Sequence, residues 1–314
     1  MGNFVVALNA VAPLLLFMLV GLFARHAFHF TDKSVSTFNK LLFGLFLPST
    51  MFSSVYFTKA ETMAAPAFIA YGFCSVLAVA FLAYLVVTHF VKDDKKRGAL
   101  IRASYQSNFI LLGVPLVENI YGPEAVAVPM LLAAFVVPLY NVLAVIILET
   151  FRGGKSTLTF KKLVKGVLTN PMIVGALLGL FCRLLPFPLP AMVVKCVKQM
   201  AATTTPLALV ILGISFTVQA VLGELRYLVI TIFSRLVLAP LLVVGVAIAL
   251  GLRGVELATL IGMAATPCAV ASFAMAQQMD SDGQLAGNCV IFSTAISFVT
   301  MFFWILAVQS MGLL

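Results

Sequence analysis

The chain has 314 residues, 62% of them apolar and 10% charged, with a mean hydropathy of +1.12; water-soluble domains carry roughly half apolar and a quarter charged residues, which excludes a soluble fold. A formal charge of +9 would suit a nucleic-acid surface, but the basic residues are spread through short loops between apolar runs, so nucleic acid is excluded as a partner. Cys74, Cys182, Cys196, Cys268 and Cys289 lie in or beside those runs without paired spacing, which leaves them as small core residues and not as a metal site or disulfide framework.

Ten apolar runs of membrane-spanning length follow one another, near 4–24, 35–57, 63–90, 98–120, 124–149, 166–185, 191–217, 226–250, 256–279 and 285–310. About 20 such residues cross a hydrocarbon core as a helix. The alternative of a closed barrel needs short strands of alternating polarity, and none is written here. The expected fold class is therefore an all-α membrane protein with ten transmembrane helices. Nothing positive precedes span 1 and Arg25 follows it, so it is expected to stay in the mature chain and not to be cleaved as a signal peptide.

The loops after odd-numbered spans hold Arg25, Lys33, Lys92, Lys95, Lys96, Arg97, Arg152, Lys155, Lys161, Lys162, Lys165 and Arg226, whereas even loops hold only Lys59, Arg183 and Arg253. Basic loops stay in the cytoplasm, which places both termini outside. The basic loop after span 5 contains RGGKST (152–157), but Glu149 stands where a phosphate-binding loop needs its first glycine. Contact with anionic lipid is the better account of that loop.

A repeat runs through this pattern. GLFAR at 21–25 returns as GLFCR at 179–183, and the same offset of 158 places Pro13 on Pro171, Leu19 on Leu177, Lys40 on Lys198 and Pro48 on Pro206. Two halves follow, 1–152 and 166–314, joined by a basic linker at 153–165. Five spans per half is an odd number, so the second copy enters the membrane from the opposite side. Such inverted repeats are the plan of many secondary transporters.

Span 4 carries SNFILLGVP (107–115) and span 9 carries AATPCAVAS (264–272), with Asn108 falling on Thr266 at the repeat offset. Gly113, Pro115 and Pro267 are expected to break these two helices, because proline lacks the amide donor and clashes with the preceding turn. Asn108 lies 11 residues past Arg97 and Pro267 lies 14 past Arg253, hence about 16 and 21 Å deep from opposite faces. Both depths fall near the middle of a core about 30 Å thick. The expected site is there: Asn108 first, with Gln106, Ser107, Thr266 and Ser272 as further substrate-binding residues, and Ser104 and Gln277 nearby.

Glu118, Glu149, Glu224 and Glu256 all sit toward span ends, which argues against a carboxylate proton relay. Helix amino ends and free amides favour an anionic or neutral ligand. No nucleophile, base or metal cluster can be assembled at one depth, so an enzyme is not expected and no cofactor is implied. Lys40, Lys198, Arg102 and Arg235 are expected to snorkel to the interface, with gating or steering of anions as the alternative. His26, His29 and His89 read as interfacial, and Gly175 with Gly179 as a close helix contact.

At SNFILLGVP, at Asn170-Pro171, at TPLALVILG (205–213) and at ATPCAVASFAMAQQM (265–279), the chain resembles the auxin efflux carrier family, which includes plant PIN carriers and bacterial malonate and malate permeases. The resemblance covers essentially the whole chain. It implies two inverted five-helix repeats with broken crossover helices 4 and 9, spans 1, 2, 6 and 7 as scaffold and the others as transport domain. It also implies transport of a small organic anion such as malonate, malate or an auxin-like acid by alternating access, a homodimer, and residence in a bacterial inner membrane. Ser272 stands where PIN carriers have a further proline, and Ala271 where many bacterial relatives have asparagine. A sodium-coupled symporter like the bile acid carriers is the alternative, so the coupling ion, proton or sodium, stays open.

Overall fold

The computed structural model describes every residue except Met1, 58–65, 153–164, 166–167, 185–187 and 217. The basic linker at 153–165 therefore lies outside the described residues, apart from Lys165, as do Lys59 and most of RGGKST. Fourteen α-helices make up most of the described chain. They are α1 (Gly2–Ala27), α2 (Asp32–Leu41), α3 (Leu47–Tyr56), α4 (Pro66–Phe90), α5 (Asp94–Tyr105), α6 (Val114–Tyr121), α7 (Ala127–Thr150), α8 (Pro171–Leu184), α9 (Ala191–Ser215), α10 (Val218–Phe233), α11 (Ala239–Ala249), α12 (Gly254–Ala265), α13 (Ala271–Gln278) and α14 (Gly283–Ser310).

Five continuous helical stretches are long and apolar enough to cross a membrane: Pro66–Phe90, Pro123–Thr150, Ala191–Ser215, Gly223–Ala249 and Gly283–Ser310. Leu16–Ala27, Phe109–Tyr121, Pro171–Leu184 and Gly254–Ala265 are apolar but shorter. Among the described residues the ten expected runs are mainly helical, spans 4 and 9 are each divided, and the apolar helix described in span 6 is Pro171–Leu184. Asn170 caps the start of that helix: its Oδ1 accepts the Met172 amide at 3.0 Å, and Pro171 occupies the position where a missing amide costs nothing. Large apolar side chains point outward along α4, where Phe81 is 61% and Phe90 73% exposed. A face of that kind suits lipid.

Three prolines inside helical runs share one device. Pro48, Pro115 and Pro240 each follow a five-residue π turn by two positions, the turns being Leu42–Phe46, Phe109–Gly113 and Ser234–Leu238. In each case the amide just before the proline reaches back five residues, to Leu42 O, Phe109 O and Ser234 O. Proline would press on the carbonyl four residues earlier, and the wider turn gives that carbonyl room. The helix direction survives.

The most extensive helix pairings are α1 with α9 and α3 with α8. Both are close approaches made through glycine. The Gly21 position faces the Val210 carbonyl, and a Cβ on Gly179 would meet the Phe52 carbonyl at 2.7 Å. The offset of 158 carries Gly21 to Gly179 and Phe52 to Val210, so one contact is written twice. The arginines that end the two motifs repeat it: Arg25 donates to Ile214 O at 2.9 Å at the end of α9, and Arg183 to Val55 O at 3.3 Å at the end of α3. Cations at helix carboxyl ends complement the helix dipole. The repeated pentapeptide thus supplies, in both places, a glycine for close packing and an arginine for the partner's last turn.

Candidate functional site

α5 stops at Tyr105 and α12 stops at Ala265, and the two interruptions meet. Ser107 and Cys268 pair as an isolated antiparallel bridge, flanked by Asn108 N to Pro267 O at 2.9 Å and Ala269 N to Gln106 O at 3.2 Å. Each unwound segment therefore satisfies part of the other's backbone, as apolar surroundings demand. Pro267 explains the second interruption: it has no amide to donate, and it pushes Thr266 to an extended conformation (φ −73°, ψ 155°). The first interruption lies at Gln106–Asn108, with Asn108 at φ −88°, ψ 49°. Neither Gly113 nor Pro115 makes it.

Pro115 instead sits in the first turn of α6 behind its π turn. Gly113 serves close approach: a Cβ there would meet the Gly262 carbonyl at 2.5 Å, and a Cβ on Gly262 would meet the Gly113 Cα at 2.9 Å. This lets α12 pass directly over the π turn beside the crossing.

All five residues expected to bind substrate are buried at the crossing. The Gln106 Oε1 accepts from Arg102 Nε at 2.6 Å, and Ser107 Oγ shares a 3.0 Å hydrogen bond with the Tyr140 hydroxyl. The Asn108 Nδ2, Thr266 Oγ1 and Ser272 Oγ are buried without a protein partner. Buried unpaired polar groups cost roughly 1–3 kcal/mol each, so three around one crossing mark a place built for something besides packing. Ser104 turns back to Leu100 O, and Gln277 leaves the crossing to meet Asn39 of α2.

A cavity of about 410 Å³ opens against Gln106, Ser107, Asn108 and Ala269–Ala271 on one side, with Tyr140 and Asn141 of α7 beside them. Its opposite wall comes from α3 and α9, through Thr50, Met51, Thr204 and Pro206. Both the volume and the largely apolar lining with a few converging polar groups suit a small organic molecule. Val270 and Ala271, where α13 begins, bring the positive end of a helix dipole to the wall. Among the described residues, no group of His, Cys, Asp and Glu is arranged to hold a metal.

Arg102 and Arg235 correct an expectation. Neither snorkels to an interface; they are 1% and 2% exposed, and both reach the crossing. Arg235 donates to Thr266 O at 2.9 and 3.1 Å, to Met263 O at 3.2 Å and to Tyr105 O at 3.4 Å. Arg102 donates from Nη1 to Ala271 O at 3.3 Å and Ser272 O at 3.2 Å. The physical reason is that the interrupted helices free carbonyls inside the buried crossing, and a guanidinium offers five donors in one plane. Depth arithmetic carries the signal in the sequence: Arg235 lies nine residues past Arg226, about 14 Å along a helix and too deep to reach back to water. Tyr140 and Asn141, also missed, have no signal beyond being polar within span 5. Lys40 and Lys198 remain exposed, with the Lys198 ammonium 4.5 Å from the centre of the Phe57 ring.

The membrane transport protein family model matches residues 6–305. An uncharacterised transporter of Methanocaldococcus jannaschii is 24% identical over 311 residues, covering 95% of this chain and 98% of that one. Another from Methanothermobacter thermautotrophicus is 22% identical over 298 residues, covering 94% and 96%. The family is one of transporters and not of enzymes, and a chain of this composition is an integral membrane protein. Matched along nearly its whole length, this chain belongs to the membrane transport protein family, the auxin efflux carrier family that its motifs resemble.

Proposed function

We propose that this protein is a secondary carrier of a small organic anion, a mono- or dicarboxylate such as malonate, malate or an auxin-like acid, that works by alternating access at the crossing of α5–α6 with α12–α13. The observation that carries this reading is the Asn108 amide. Its Nδ2 is buried without a protein partner, and the residue lines the 410 Å³ cavity where both helices are open. Asn108 positions a carboxylate oxygen by donating Nδ2, with Ser107, Gln106, Thr266 and Ser272 around it. The α13 amino end and two buried guanidiniums set the local potential positive. No covalent intermediate or cofactor takes part.

Two inverted five-helix repeats, 1–152 and 166–314, give the conformational change its symmetry. The duplicated Gly21–Val210 and Gly179–Phe52 contacts support that division, since they relate α1 on α9 to α8 on α3 by the repeat offset. Exchanging the conformations of the halves then turns an inward-open state into an outward-open one. The cavity lies between elements of spans 2 and 7 on one side and spans 4, 5 and 9 on the other, where sliding of one group past the other exposes it to each face in turn. The protein resides in a bacterial inner membrane with both termini outside, in contact with lipid and as a homodimer.

Counterflow in proteoliposomes against a carboxylate panel tests this reading. Asn108→Ala lowers the initial rate by about tenfold or more while elution and melting stay those of the wild type, as expected when a hydrogen bond to a charged group is lost. A wild-type rate in that variant rejects the assignment. Replacing sodium by choline separates an uncoupled or proton-linked carrier from a sodium symporter.

A further inference from the structure

In carriers with interrupted helices, the carbonyls at half-helix carboxyl ends and in unwound segments are the groups that take up a coupling sodium ion. Here carbonyls of that kind already have a cation. Tyr105 O ends α5, Met263 O and Thr266 O end α12, and all three accept from Arg235. Ala271 O and Ser272 O, just past the second interruption, accept from Arg102. A guanidinium stays protonated in proteins, so both charges are permanent.

Neither arginine has a carboxylate partner among the described residues. The ion pairs found there involve Lys95, Lys96, Arg97 and Arg152 instead. Two buried cations without a resident anion are costly, and the layout says where their counter-charge comes from. Gln106 and Ala271, which Arg102 contacts directly, both line the cavity. Arg235 reaches the same wall through Tyr105 and Thr266, whose neighbours Gln106 and Pro267 accept across the crossing from Ala269 and Asn108.

Resting on the carrier reading, we propose that Arg102 and Arg235 are the resident cations of the crossing. They occupy carbonyls that would otherwise recruit sodium, and they supply the fixed charge that selects an organic anion over its neutral analogue. Anion binding accordingly needs no sodium. Both act through the backbone they hold and the field they project, as positioning residues.

The test titrates malonate, malate and indole acetate, each beside its neutral amide, against wild type, Arg235→Lys, Arg235→Gln and Arg102→Gln in sodium chloride and in choline chloride. Expected are a wild-type acid affinity that differs by less than about twofold between the salts and an acid-over-amide preference that falls by about tenfold or more in each glutamine variant and persists in Arg235→Lys. A larger gain in sodium overturns the proposal, as does an unchanged preference in a folded glutamine variant. If the glutamine variants do not fold, Arg235→Lys decides, and loss of its preference overturns the proposal. If no acid binds the wild type, the carrier reading fails. The arginines are then judged on ligand-free protein: equal melting in both salts supports them as resident cations, and higher melting in sodium overturns the idea.

Discussion

Pro115 and Pro267 each lie inside one of the two apolar runs that meet at the crossing, and the chain treats them oppositely. At Pro115 the preceding turn widens to a π turn and the helix continues into α6. At Pro267 the helix stops, and the proline carbonyl accepts from Asn108 of the other interrupted segment. The difference lies in what is available to take the freed backbone groups. At Pro115, as at Pro48 and Pro240, the π turn keeps the backbone hydrogen bonds within the helix itself, even where another helix packs closely on it. Where a second backbone and a guanidinium can accept and donate instead, the interruption becomes a stable feature.

Substitutions sharpen that comparison in a graded order. Gly113→Val has the largest effect, because the Cβ alone would meet both the Gly262 carbonyl and the Phe109 ring at 2.5 Å; overpacking costs about 3 kcal/mol or more there, read as lost expression or a lowered melting temperature. Pro267→Ala comes next. It restores an amide at the interruption, and counterflow falls by about tenfold with a stability change near 1 kcal/mol, because the geometry of the anion site relaxes while the packing remains. Pro115→Ala, in contrast, changes counterflow by less than about threefold, since its π turn can tighten without disturbing the crossing. If Pro115→Ala proved as damaging as Pro267→Ala, the distinction between an absorbed and a functional proline would be lost. Glu224→Gln removes the ion pair with Lys96 at the partly exposed end of α5 and costs under about 1 kcal/mol in a melting experiment.

Much of this was legible in residues. The apolar runs forecast helices, the motifs around Asn108 and Pro267 forecast the family and the two interruptions, and depth arithmetic forecast that they would meet. The interruption at Gln106–Asn108 was legible in its helix and in Asn108, which was expected to stand at the break, but not in its cause. What holds it is a tertiary partner, the Pro267 carbonyl, and not Gly113 or Pro115 further along. Arg102 and Arg235 were misread because snorkelling is the usual behaviour of a basic residue in an apolar run. Freed carbonyls in the buried crossing reversed that preference. The count of ten spans meets the same limit: α5, α6, α12 and α13 are each too short to cross alone, and their joining into spans depends on the membrane that surrounds them.

The central claim is that the crossing is where the anion binds, and thiol labelling of Thr205→Cys, a half-buried cavity-wall position outside the proposed substrate contacts, in a background whose native cysteines are alanine, tests it most directly. Initial labelling rates by an anionic thiol reagent are measured from each side of right-side-out and inside-out vesicles, with and without carboxylates that the vesicles are shown to carry. The account predicts that Cys at this position is reached from both sides and that a carried acid, but not its amide, slows labelling by about tenfold at saturation. Labelling unaffected by any carried acid would contradict it.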